Sequence, residues 1–124
     1  MDEKRSFKIY DDGELGEVRI DTQVLAIIAG LAAVEAEGVT GLAGNMTNEI
    51  IERLGMKSLS KGVKVVVGNN SASIEVAVCL DYGVNIMNVS EDIQEKVKTA
   101  VESMTGITIE SVNVRVANVN IEND

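Results

Sequence analysis

At 124 residues the chain suits one domain, and a domain of that size buries roughly two-thirds of the surface its unfolded chain exposes. Hydrophobic residues make up 45% but aromatic ones only 2%, so the core must be Val, Ile, Leu and Ala, and stacking platforms for bases or sugars are nearly excluded. The net charge of −9 repels phosphate backbones and anionic head groups, the absence of histidine excludes Ser-His-Asp and Cys-His catalysis, and the one cysteine, Cys79, excludes an intrachain disulfide.

Residues 1–15 are polar and mixed in charge, and Met1 to Arg5 lead into no apolar run of the kind a secretory signal needs. Asp11-Asp12-Gly13 reads as a turn, and the segment is expected to be a flexible leader, with a short edge hairpin as the alternative. Val18 and Ile20 flank Arg19 in the alternation of a short strand. Asp21 then offers a carboxylate to the free amides of a helix. In that helix Val24, Ile27, Ile28, Leu31 and Val34 fall at helical spacing, and Leu25, Ala26, Ala29, Gly30, Ala32 and Ala33 make most of the remaining circumference apolar. A helix apolar all round is buried on more than one side, here against a short neighbouring helix or another copy of the protein. Its run from Thr22 to Val34 is too short to span a bilayer. Gly38 is the expected helix stop, and 38–45 reads as a glycine-rich connection.

Thr47 to Leu54 reads as a short helix with Ile50, Ile51 and Leu54 on one side. Val63, Val65 and Val67 alternate with Lys64, Val66 and Gly68, the run from Gly68 to Ser71 is a turn, and Ile74, Val76, Val78 and Leu80 alternate in a second strand. Asn88 with Glu91 three residues on resembles a capping box. The helix it opens would bury Val89, Ile93, Val97, Val101 and Met104, pair Asp92 with Lys96 and Lys98 with Glu102 on its wet face, and stop at Gly106. Val112, Val114 and Val116 make a last strand. The expected order is β-α-α-β-β-α-β, an α+β two-layer domain with a small mixed sheet and helices on one face.

Chemistry-bearing patterns are sparse. Cys79 lies mid-strand with no histidine to activate it, and reads as a small strand residue. Glu35, Glu37, Glu91, Asp92 and Glu95 read as solvated helix faces. Ser58-Leu59-Ser60-Lys61 has the S-x-x-K spacing of serine–lysine enzymes but sits in a linker. No catalytic set, metal site or cofactor is expected. Gly38, Gly41 and Gly44 form a candidate loop that lacks the Lys-Ser/Thr of a phosphate-binding loop. Gly41-Leu42-Ala43-Gly44 between two expected helices looks like the G-x-x-G of a KH RNA-binding module, yet it has no basic residue between the glycines. The topology is therefore expected to be KH-like while nucleic acid is not the expected ligand. Arg53, Lys57, Lys61 and Lys64 concentrate positive charge on an acidic background, which reads either as a solvated loop and strand edge or as a candidate docking patch for an acidic partner or an anionic surface. Tyr82, Gly83 and Asn85 form a candidate recognition loop between strand and helix.

Three stretches, in this order, resemble the alkaline-shock-protein family of Gram-positive bacteria, also called the envelope stress response family. The first is Gly16-Glu17-Val18-Arg19-Ile20-Asp21 running into the helix that closes on Glu35-Ala36-Glu37-Gly38-Val39. The second is Ser60-Lys61-Gly62-Val63-Lys64-Val65, and the third is Asp81-Tyr82-Gly83-Val84-Asn85-Ile86. The resemblance runs from about Gly16 to Val119, so the domain is expected over 16–120, with 121–124 as a tail. It departs at Met87, where members often carry proline. It implies a non-enzymatic role in envelope homeostasis through protein–protein interaction. The expected setting is cytoplasmic, membrane-proximal through a partner such as a membrane-anchor protein or a lipid-synthesis enzyme, with homo-oligomers expected. The alternative is a regulator of lipid metabolism that binds a small ligand or acyl-bearing protein, which a closed apolar pocket beside the first helix would favour. RNA binding ranks below both.

Overall fold

The alternating run Ile74, Val76, Val78, Leu80 becomes the centre of the protein, because a strand that is apolar on alternate residues can bury one whole face. The computed structural model describes residues 6–11, 17–43, 46–47 and 60–120. Its elements in chain order are β1 (Ser6–Asp11), β2 (Glu17–Asp21), α1 (Thr22–Val34), β3 (Val39–Leu42), β4 (Met46–Thr47), β5 (Val63–Val67), β6 (Ser71–Asp81), α2 (Ile86–Thr105) and β7 (Thr108–Asn120). The result is a small α+β domain with a mixed sheet. β7 runs parallel to β6 along one edge, from Ser71↔Thr108 to Asp81↔Asn120. The other edge of β6 is shared end to end, by β5 at Val63↔Val76 through Val67↔Ala72 and by β3 at Val39↔Leu80 through Leu42↔Val78, both antiparallel. β4 pairs outside β3.

α1 and α2 lie on the face that carries Ile74, Val76, Val78 and Leu80, which are at most 1% exposed. α1 packs against α2 and against β3, β5 and β6, which accounts for its nearly continuous apolar circumference. Leu25, Ala29 and Ala33 are fully buried, and Ile27, Leu31 and Val34 are half-buried against the same core. Where a short neighbouring helix or another copy was expected, the second side of α1 faces the 20-residue α2.

Several sequence expectations are corrected. Within the expected flexible leader 1–15, Ser6–Asp11 form β1, which pairs antiparallel with β2 from Ser6↔Asp21 to Asp11↔Glu17 as in the edge-hairpin alternative, while 1–5 and 12–15 lie outside the described residues. α1 ends at Glu35 rather than at Gly38, whose φ of 98° instead serves the turn into β3. Asp21 occupies the N-cap, but its side chain makes no cap bond. The glycine-rich connection contains β3, so Gly41 is a buried strand residue paired with Cys79. α2 begins at Ile86, and its N-cap is Asn85 rather than Asn88. At its other end Thr105 is buried in place of Met104, which is 70% exposed. The buried stripe Val89, Ile93, Val97, Val101, Thr105 keeps strict four-residue steps, and Thr105 fits there because Oγ1 donates to Val101 O at 2.7 Å and accepts from Ile107 N at 3.1 Å. The expected order therefore gains β1, β3 and β4 among the described residues. The expected helix from Thr47 to Leu54 lies outside them apart from Thr47, which belongs to β4, and the tail 121–124 lies outside them.

The hairpin turn is as expected, with Gly68 N donating to Ser71 O at 2.8 Å and Asn70 accepting a φ of 59°. Gly106 stops α2 at a φ of 77°. Lys98 reaches Glu102 at 3.9 Å, and Glu102 also accepts from Ile109 N at 2.9 Å, which ties the end of α2 to the start of β7.

Candidate functional site

The face of the sheet turned away from the helices carries its polar residues. Cross-strand partners share a face, so Lys64 of β5 stands beside Glu75 of β6, and Arg115 of β7 reaches Glu75 from the other side. Arg115 Nε lies 3.5 Å from Glu75 Oε2, with the two side chains 61% and 41% exposed. Such an exposed pair contributes about 0–1 kcal/mol, so its interest is its charge rather than its stability.

Lys61 stands in the short turn at 60–62 that leads into β5. Together Lys61, Lys64 and Arg115 rim a shallow depression whose lining includes Gly62, Glu75 and Ala77. Three cations thus face one carboxylate, in a chain whose net charge is −9. The depression sits where β3 ends and β5 begins along the same edge of β6. There Ala43 N donates to Ala77 O at 2.9 Å, and a Cβ on Gly62 would lie 2.9 Å from Leu42 Cβ. Glycine at 62 is what lets the two strands meet.

Of the expected basic patch, the structure brings Lys61 and Lys64 together, while Arg53 and Lys57 lie outside the described residues. Arg115 and Glu75 were missed by the sequence reading. Strand alternation places Arg115 on a polar face, but its neighbour is set by the parallel register Ala77↔Arg115, which no local pattern encodes.

The second candidate region lies at the far end of β6. Tyr82 is seven residues beyond Glu75, a span of about 23 Å along a strand, so it is remote from the basic depression. Tyr82 is 72% exposed, and Met87 and Ile86 beside it are 68% and 45% exposed. The loop is held without proline: Tyr82 N donates to Asn120 O at 3.1 Å, and Asp81 N donates to Gly38 O at 2.9 Å. Gly83 holds a φ of 94° with open space where a Cβ would be. Asn85 caps α2, its Oδ1 accepting from Asn88 N at 3.0 Å, so this residue has a structural duty in the loop. Asn85→Ala is expected to lower stability by about 1 kcal/mol, and Asn85→Asp to restore most of it, in urea melts of the full chain.

Gly38 joins the Tyr82 loop through the Asp81 bond, whereas Gly41 belongs to β3 and Gly44 lies outside the described residues. The G-x-x-G reading therefore loses its geometric basis at Gly41, whose backbone is committed to the sheet. Among the described residues two depressions lie beside α1, both open and partly charged. One is lined by Glu35, Asp92, Glu95 and Lys96 with Ala32 and Ala100, another by Thr22, Gln23 and Lys64 with Ala26 and Val63. Neither is the closed apolar pocket that a small-ligand regulator would need. Cys79 is half-buried, its Sγ 3.7 Å from Leu42 O, as suits a strand residue.

Residues 10–121 match a family described as having a cell envelope-related function. The uncharacterized protein YqhY of Bacillus subtilis is 32% identical over 113 residues, spanning 91% of this chain and 84% of that protein. YloU of the same organism is 32% identical over 110 residues, spanning 87% and 92%. A stress response regulator gls24 homolog of Streptococcus pyogenes is 26% identical over 105 residues, spanning 84% of this chain and 59% of that protein. Among solved structures, a MamM CTD variant aligns over 78% of this chain and 94% of its own at 16% identity, with a TM-score of 0.49.

Proposed function

The chain belongs to that family, the alkaline shock protein 23 family of cell envelope-related function, and from this premise we propose that it acts by holding other proteins rather than by catalysis. The family and the relatives named stress response regulators support a stress-related role at the envelope. The observation that carries the docking reading is the cationic depression of Lys61, Lys64 and Arg115 on the open face of the sheet. Positive charge concentrated on an acidic protein selects acidic partners by rate and register, while the surrounding negative surface discourages nucleic acid and anionic lipid. Among the described residues no helix is long and apolar enough to cross a membrane. On this reading the protein is cytoplasmic, and its contact with the envelope runs through a partner, either a membrane-anchor protein or a lipid-synthesis enzyme.

The test is crosslinked capture of the full chain from its own cells, with membrane and non-membrane fractions separated. Lys61→Glu with Lys64→Glu is expected to lower recovery of the partner by about tenfold or more, the equivalent of ~1.4 kcal/mol, with the circular dichroism unchanged. Partner recovery equal to that of the parent protein would remove the depression from the docking surface. Capture of no protein by the parent chain would sink the docking reading as a whole.

A further inference from the structure

We propose that the outer edge of β7 is a strand-addition site for an extended segment of a partner protein with alternating apolar and acidic side chains, an inference that rests on the docking reading above. β7 is 13 residues long and pairs with β6 along one edge, and among the described residues no strand pairs with the other. Backbone groups of a strand turn alternately to its two neighbours. Asn120 O accepts from Tyr82 N, so Asn120 faces the β6 side. Val112 O accepts from Gln94 Nε2 of α2 at 3.0 Å, so Val112 faces away from β6. The register Ile74↔Val112, Val76↔Val114, Val78↔Val116 is unbroken, so Val114 and Val116 face the same way as Val112. Gln94 occupies the edge at Val112, which leaves the edge at Val114 and Val116 open to an incoming strand.

Those two residues also offer an apolar contact. Their side chains lie on the helix face and are only partly buried against the core. Met87, 68% exposed, lies seven residues before Gln94 on the same face of α2. Seven helical residues span about 10 Å, the length of about three strand residues. α2 returns from the end of β6 to the start of the parallel β7, so Met87 lies from Gln94 in the direction that leads along β7 from Val112 to Val114 and Val116. The opposite face of the same edge is cationic: Arg115 is 61% exposed, and Lys64 stands beyond Glu75. An added strand would therefore place apolar side chains beside Val114 and Val116 and acidic ones beside Arg115. Edge strands are commonly blocked by proline or by many charges, and β7 carries no proline and only Glu110 and Arg115 as charges. A second copy of β7 fits less well. The antiparallel pairing that sets Val114 opposite Val116 puts Arg115 directly opposite Arg115, and like charges so placed repel.

The experiment is residue-resolved amide exchange on the full chain, using as probe a short synthetic peptide of alternating valine and aspartate, with a valine–lysine peptide as its counterpart. In dilute protein the Val114 and Val116 amides are expected to exchange at least about tenfold faster than those of Asn113 and Arg115. The valine–aspartate peptide is expected to slow Val114 and Val116 by about tenfold, and Arg115→Glu to abolish that effect. Val116→Pro removes only an outward-facing donor, so it should abolish peptide binding while the Asn113 amide stays protected. Equal protection of all four amides in dilute protein, no response to the peptide, or an equal response to the lysine peptide would each overturn the proposal. So would protection that grows with protein concentration alone, since that would give the edge to a second copy. Run through the capture experiment, Val116→Pro separates the two ideas. If it recovers the same partners as the parent chain, the edge proposal fails and the docking reading stands.

Discussion

Gly38→Val is expected to destabilise the protein by about 3 kcal/mol or more, the sum of backbone strain and overpacking. Gly38 holds a φ of 98°, a region that a β-branched residue scarcely enters. A Cβ there would stand 3.1 Å from Val84 Cγ1 and 3.3 Å from Val89 Cγ2. Neither neighbour retreats easily, because Val89 is buried in the first turn of α2 and Val84 packs against the core. The Gly38 carbonyl also accepts from Asp81 N, so a displaced turn would pull on the Tyr82 loop. Gly106→Ala is the control: its φ is 77°, but nothing lies within 4 Å of the added Cβ. It carries the conformational penalty alone, about 1 kcal/mol. Urea unfolding of both variants, with unchanged slope, makes the comparison. If Gly38→Val costs no more than Gly106→Ala, the close approach to α2 is wrong.

Ile93→Ala is expected to cost about 2–5 kcal/mol, and Ile93→Val about 1 kcal/mol, because a fully buried side chain loses contacts in proportion to the cavity left behind. Ile93 is 0% exposed and stands at the centre of the stripe by which α2 holds the sheet and α1. The larger loss would take a substantial part of the roughly 5–15 kcal/mol that stabilises an ordinary domain. It should also loosen α2 over β7, so amide exchange near Val112, where Gln94 donates to the strand, should quicken more than exchange in β5. A cost below about 1 kcal/mol for Ile93→Ala would mean that α2 is not clamped to the sheet by this stripe.

Local periodicity alone determined the buried stripe of α2 from Val89 to Val101, the hairpin of β5 and β6, the strand β7 and the stop at Gly106, since each is written within one element's own residues. It did not determine which side of α1 is buried: the helix is apolar all round, and packing buries Leu25, Ala29 and Ala33 while Val24 is left 45% exposed. The signal failed at the ends of elements and across them. Asn85 and Asn88 are both acceptable caps in sequence, and the choice fell to Asn85, whose Oδ1 takes the Asn88 amide as the chain leaves the turn after β6. Met104 and Thr105 compete for one buried position, and the strict four-residue stripe, with two hydrogen bonds for the hydroxyl, favours the less apolar residue. β3 was hidden because the run Val39–Leu42 is short and contains Gly41, and it becomes a strand only because β6 offers an edge beyond the reach of β5. Lys64 and Arg115 were both visible as exposed cations on alternating strands. Only the tertiary structure brought them to either side of Glu75, because a register is settled by which strands lie side by side and how far they slide, and sequence neighbours carry no record of that distance.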